Sequence, residues 1–131
     1  MNEIIEPMRQ CRFKDFDDSL RESHLFPLTT TGIEVLQINF GKLCNQACKH
    51  CHVEAGPNRT EIISREVLES CLDILRGSDI PTVDITGGAP EMNPHFEWFV
   101  REVGKLNRHI MVRSNLTILL EPEFTHLPDF Y

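Results

Sequence analysis

Residues 81–94 read Pro81-Thr82-Val83-Asp84-Ile85-Thr86-Gly87-Gly88-Ala89-Pro90-Glu91-Met92-Asn93-Pro94. Thr82, Val83, Ile85 and Thr86 are β-branched, the composition of a short buried strand. Two glycines follow at once, and beyond Pro94 the apolar residues Phe96, Phe99, Val100, Val103 and Leu106 recur at three-to-four spacing. The stretch predicts a strand over 81–86, a tight turn over 87–91 past its carboxyl end, and a helix opening at Asn93-Pro94 with proline in the first helical position.

The same order repeats on both sides. Upstream, Ile33 to Phe40 is a β-branched run typical of a buried strand. Residues 52–61 have a loop composition, and Ser64 then marks an N-cap for a helix ending at Gly77, with Val67, Leu68, Cys71, Leu72 and Leu75 as its apolar stripe. Downstream, His109 to Val112 supplies a third strand, and Leu116 to Leu120 either continues it or opens the next loop. Strand, helix, strand, helix, strand with connections long enough for right-handed crossovers predicts an α/β fold with a parallel sheet. Three strands cannot close a barrel, and such a fold normally runs to about 200 residues or more. The expectation is therefore a partial TIM barrel, truncated after about three β/α units. Residues 1–32 lack a sustained period and read as an N-terminal extension with one short helix, closed by a turn at Thr29-Thr30-Thr31-Gly32; residues 33–131 read as the core.

The chain has 131 residues, with 13 Lys and Arg against 20 Asp and Glu, a formal charge of -7. That balance argues against a nucleic-acid partner, which demands a concentrated basic surface. No apolar run approaches the roughly 18 to 20 residues that cross a bilayer, and Glu3 and Glu6 do not suit a signal peptide. The expectation is a cytoplasmic protein with no membrane partner, in which the sequons Asn58-Arg59-Thr60 and Asn115-Leu116-Thr117 are chance matches.

Five cysteines stand at positions 11, 44, 48, 51 and 71. An odd count without an export signal points to ligands or buried thiols. Cys71 falls on a helical apolar stripe and reads as a core thiol. Cys44-Asn45-Gln46-Ala47-Cys48-Lys49-His50-Cys51 places three thiols in eight residues, in the loop that leaves the first strand. Thiolates are soft ligands for iron-sulfur clusters and for zinc. A structural zinc site wants four ligands and would recruit His50, His52 or Cys11. A cubane cluster held by three cysteines leaves one iron open to an exogenous ligand.

Cys44, Cys48 and Cys51 resemble the CxxxCxxC signature of the radical S-adenosylmethionine superfamily, and Gly87-Gly88-Ala89-Pro90-Glu91 resembles its glycine-rich motif. Four blocks, Leu36 to Asn39, Cys51 to Arg59, Asp84 to Phe96 and Arg113 to Thr117, resemble more closely the arsenosugar-biosynthesis type of that superfamily. Ala89 stands where the superfamily often carries an acidic residue, and Ser114 where this type carries another cysteine. Members of that type are longer, so the resemblance covers an amino-terminal portion and implies a missing carboxy-terminal region.

The resemblance implies an iron-sulfur enzyme that binds a [4Fe-4S] cluster through Cys44, Cys48 and Cys51 and cleaves S-adenosyl-L-methionine reductively, with a reducing electron donor and a small-molecule substrate as partners. Arsenosugar-type members join the 5'-deoxyadenosyl group to methylated arsenic. Peptide or cofactor maturation on the same core, and a zinc-binding module, are the alternatives. For the nucleoside the implied contacts are His50, Gly87, Gly88, Glu91, Arg113 and Asn115; no residue is assigned to catalysis. His50 reads equally as a packing group; Glu91 reads first as an acceptor for the methionine ammonium, with a helix cap as the alternative; and Arg59 reads as a substrate contact or a solvated loop charge. Asn45, Gln46 and Ala47 form the floor of the cysteine loop, where amides donate to cluster sulfurs. Trp98 reads as helix packing.

Overall fold

A computed structural model of the chain describes residues 14–130. These fall into two compact units, one reaching to Gly32 and the other beginning at Ile33. In the first, helix α1 (Phe16–Glu22) is capped by Asp15, whose side chain accepts the Asp17 amide at 2.9 Å. Lys14 pairs with Glu22, and the Arg21 guanidinium lies 4.0 Å from the centre of the Phe26 ring. The turn expected at Thr29-Gly32 does not form. Cys11 lies outside the described residues, as do Glu3 and Glu6.

The second unit is an open, three-stranded parallel sheet with flanking helices, in the order β1 (Val35–Asn39), β2 (Thr82–Thr86), β3 (His109–Val112). Helices α2 (Arg65–Arg76) and α3 (Phe96–Lys105) make the two crossovers, and the short α4 (Leu127–Phe130) ends the described chain. This is the partial α/β barrel architecture expected. Side chains alternate across a strand, so one face of the sheet is set by Ile38, Val83 and Ile85. That face packs on Leu68, Leu72 and Leu75 of α2 and Phe96, Phe99 and Val103 of α3. The Phe40 ring, just past β1, wedges edge-on against Phe96 and Phe99 at 6.1 and 5.6 Å. Trp98 carries the Arg65 guanidinium over its ring.

The boundaries differ from expectation in instructive ways. β1 is not buried on both faces: Val35 is exposed and Ile38 is buried, because the strand is an edge and helices cover only one side of it. Val67 is half exposed and leaves the α2 stripe to Leu68, Leu72 and Leu75, with the partly buried Cys71 packed against them. Ser64 is the N-cap residue, yet its hydroxyl bonds the Glu66 carboxylate, which it holds below the usual range, instead of a backbone amide. Pro94 is not the first helical residue. Asn93 accepts the His95 amide on its side chain at 2.8 Å, and this turn holds the chain out of helix until Phe96. Leu116 to Leu120 becomes a 3-10 turn over Thr117–Leu120. Among the described residues no helix is long and apolar enough to cross a membrane.

Leu72 is fully packed between α2 and the sheet, whereas Ile74 on the same helix is half exposed. Leu72→Ala is expected to cost about 2–5 kcal/mol and Ile74→Ala less than about 1 kcal/mol, read from urea denaturation midpoints. Equal costs would mean that α2 does not pack as described.

Candidate iron-sulfur and nucleoside site

Parallel strands end on the same side, so the segments leaving β1, β2 and β3 emerge together. The segment after β1 is clamped first. Gly88 N–H donates to Gly41 O at 3.0 Å and Ala89 N–H to Leu43 O at 2.9 Å. On its other side Lys42 N–H donates to Glu61 O, Gly56 N–H to Lys42 O and Cys44 N–H to Gly56 O. Gly88 is what lets the two backbones touch: a Cβ there would overlap the Leu43 carbonyl, 2.9 Å from its carbon, and come within 3.0 Å of Cys44 Cβ. Gly87 holds a φ of 137°, which side-chained residues resist. The close approach these glycines serve here is therefore to the cysteine loop itself.

That clamp buries Cys44, at 6% exposure, while Cys51 is half-buried and Cys48 exposed. Cys44 Sγ accepts the Gln46 amide at 3.4 Å and Asn115 Nδ2 at 3.5 Å. Cys51 Sγ accepts the Ala55 amide at 3.3 Å, and this bond, joined by the Val53 amide, holds the Cys51 thiol below its ordinary value. Cys48 Sγ has Gln46 Oε1 at 3.8 Å. N–H donors thus reach two of the three sulfurs, surroundings that suit a soft metal centre. Among the described residues no three His, Cys, Asp or Glu side chains gather closely enough to hold a single metal ion. A cubane asks for something different, since each thiolate binds its own iron. Burial pushes the Cys71 thiol up, the mark of a packed and inert sulfur.

The other site residues are dispersed around this loop. His50 and His52 are exposed on it. Arg59 pairs with Glu61 at 2.5 Å. Glu91, in the 3-10 turn Pro90–Met92, is buried and lines a hollow of about 480 Å³ with Asn93, Glu97, Phe124 and His126. Glu97 is held below the usual carboxylate range by His126. A second hollow, of about 550 Å³, runs between α3 and the open edge of β3 and contains none of the cysteines.

Arg113 and Asn115, which share a phase beyond β3, go to different partners. Arg113 clasps Asp84 through Nε and Nη2 at 2.8–3.1 Å, and Gln37 Nε2 donates to the same carboxylate at 2.7 Å. Gln37 and Asp84 are register partners on β1 and β2, so this chain of bonds crosses the face opposite the helices. Asn115 turns to the cysteine loop, donating to Asn45 Oδ1 at 2.8 Å as well as to Cys44. Gln37, Asp84 and Thr117 were not singled out as site residues. A charged residue between Val83 and Ile85, in phase with Gln37 and Arg113, was the available signal for the first two. Thr117 reads from the sequence as part of a sequon and of the Arg113 to Thr117 block, with no site role; its hydroxyl accepts Asn45 Nδ2 and Gln46 Nε2 and donates to Asn115 Oδ1.

Two outcomes follow from this geometry. Gly88→Ala should destabilise the chain by about 1–3 kcal/mol and, by displacing Leu43, raise the alkylation rate of the buried Cys44 relative to Cys71. Unchanged Cys44 reactivity in the folded variant would refute the clamp. Asp84 is held below its ordinary value, by Arg113 first and Gln37 second. The unfolded chain then binds the proton more readily, so this stabilisation is present above about pH 4 and is lost as pH falls through the lower folded value. Asp84→Asn should be less stable at pH 7 and lose less stability on acidification to pH 2, the difference being modest because the Arg113 side chain is 63% exposed. Urea midpoints against pH measure both.

Among known proteins, residues 38–126 match the radical SAM superfamily. The chain is 29% identical over 76 residues to the antilisterial bacteriocin subtilosin biosynthesis protein AlbA of Bacillus subtilis, a match covering 58% of this chain and 17% of that protein. It is 28% identical over 88 residues to a probable GTP 3',8-cyclase of Saccharolobus islandicus, covering 66% of this chain and 29% of that protein. The chain thus spans less than a third of the length of these curated relatives. A match that begins inside β1 and ends beyond the loop of Asn115 and Thr117 takes in most of the chain, which belongs to the radical SAM superfamily.

Proposed function

We propose that Cys44, Cys48 and Cys51 hold a [4Fe-4S] cluster and that the protein of which this core is part binds S-adenosylmethionine there and cleaves it reductively. The observation that carries this reading is the donor set: three thiols on one loop at the exit of a parallel strand, two of them already accepting amides. When bound, such a cluster supplies the electron that splits a carbon–sulfur bond of the sulfonium and yields a 5'-deoxyadenosyl radical.

The chain's own residues hold and shield. Gly87 and Gly88 fix the cysteine loop against β2 and, with His50, Glu91, Arg113 and Asn115, make up the proposed nucleoside-binding set. Asp84 keeps the Arg113 guanidinium in place beside the polar face, where it suits a carboxylate or a ribose. An external one-electron reductant and a small-molecule substrate complete the reaction.

For the substrate, the blocks from Leu36 to Thr117 that resemble the arsenosugar type support transfer of the adenosyl group to methylated arsenic. Peptide or cofactor maturation is the second reading, favoured by the matches to a bacteriocin biosynthesis protein and a probable GTP cyclase. Residues 33–131 as one domain, with residues 1–32 as an extension, is part of the same proposal.

Anaerobic reconstitution with iron and sulfide, followed by metal analysis and electron paramagnetic resonance with and without S-adenosylmethionine, tests the reading. Ala at 44, 48 or 51 should abolish most cluster absorbance, and Cys71→Ala and Cys11→Ala should preserve it. Retention of zinc with no bound iron would defeat the proposal. Product analysis in the presence of methylated arsenic separates the two substrate readings.

A further inference from the structure

We propose that Asn115 is a positioning residue for the first thiol of the loop, and that its side-chain N–H raises the reduction potential of the cluster held by Cys44, Cys48 and Cys51. This rests on the reading given under Proposed function. The orientation of the Asn115 amide follows from its partners. Ile118 N–H reaches one edge of the amide at 3.1 Å, and a backbone N–H can only donate, so that edge is the oxygen. The NH2 edge is thereby turned to Cys44 Sγ at 3.5 Å and Asn45 Oδ1 at 2.8 Å.

The backbone is bent to make this happen. Leu116 carries a φ of 62°, unusual for a bulky residue, and the residue is 65% exposed, so no burial of its own accounts for the strain. What the bend achieves is the return of Ile118 N–H to Asn115. The Thr117 hydroxyl completes the ring, donating to Asn115 Oδ1 at 3.0 Å while accepting Asn45 Nδ2 at 3.1 Å and Gln46 Nε2 at 2.7 Å. The two residues after Cys44 are thus held by a loop some 70 positions away in sequence.

Cys44 is buried, so the N–H···S bond is shielded from water and counts for more than at an exposed sulfur. Among the described residues the exposed Cys48 sulfur accepts no amide, which makes the arrangement asymmetric. Reduction adds negative charge to a cluster, and a donor aimed at its thiolate sulfur stabilises the reduced state more than the oxidised one.

The test is the midpoint potential of the reconstituted chain, by redox titration followed with electron paramagnetic resonance. Asn115→Leu removes the donor with similar volume; Asn115→Asp keeps an acceptor for Ile118 N–H and puts an oxygen toward the sulfur. Both should shift the midpoint to more negative values, Asn115→Asp further, whereas Thr117→Val, which leaves the Asn115 amide on Cys44, should shift it less. An unchanged midpoint in either iron-loaded Asn115 variant overturns the proposal alone. Absence of iron from the parent chain overturns the cluster reading, and this proposal with it. For Asn115 variants that lose iron, alkylation of Cys44 in the cluster-free state, at an alkaline pH where the thiol is fully ionised in parent and variant alike, decides: a thiolate relieved of its N–H donor should react several-fold faster, and a parental rate overturns the proposal.

Discussion

Two carbonyls of the segment leaving β1, those of Gly41 and Leu43, accept amides from the Gly87-Gly88 turn leaving β2, and the site is organised by this contact. Buried backbone groups must find partners. In a sheet the ladder supplies them, but both segments have left the sheet, and they pair with each other only because no Cβ at 88 keeps them apart. On the far side, Gly56 and Glu61 pair with the backbone of Lys42 and Cys44. Cys44 is buried because it stands where this three-layer stack of backbone ends, and Cys48 is exposed because the loop has escaped it by then.

The sheet has two chemically different faces for an elementary reason, the twofold period of a strand. Ile38, Val83 and Ile85 make one face a greasy bed for α2 and α3. Gln37, Asp84 and Arg113 make the other a continuous run of charge-assisted hydrogen bonds from β1 through β2 to the residue that follows β3. A buried Asp in the middle strand would be costly if unpaired; here both oxygens are satisfied and the ionised form is favoured. The polar face and the cysteine loop share one end of the sheet, where α/β folds bind their ligands.

The thiols of the loop are not equivalent. Cys44 is shielded and takes donors from Gln46 and Asn115, Cys51 is half-shielded and takes the Ala55 amide, and Cys48 faces solvent. The relatives that share this core bear different names, one a bacteriocin biosynthesis protein and one a probable GTP cyclase, which accords with a common core serving different substrates.

Periodicity and punctuation in the chain were enough for much of this. The β-branched runs, the helical stripes and the glycines past β2 specify three strands and two crossover helices, since each signal is local: a period of two, a period near 3.6, a φ that only glycine accepts readily. His109–Val112 and the helix ending at Gly77 appear where the residues alone place them. The compact thiol spacing and its place after β1 were legible for the same reason. What the residues alone did not decide was every contact between segments distant in the chain. Val67 reads as apolar stripe until α2 takes its actual rotation on the sheet. Arg113 and Asn115 share a strand phase, yet one is drawn to a carboxylate on β2 and the other to a sulfur on the first loop. Such pairings depend on which chain ends the parallel sheet brings side by side, and that is a property of the assembled strands rather than of any window of sequence.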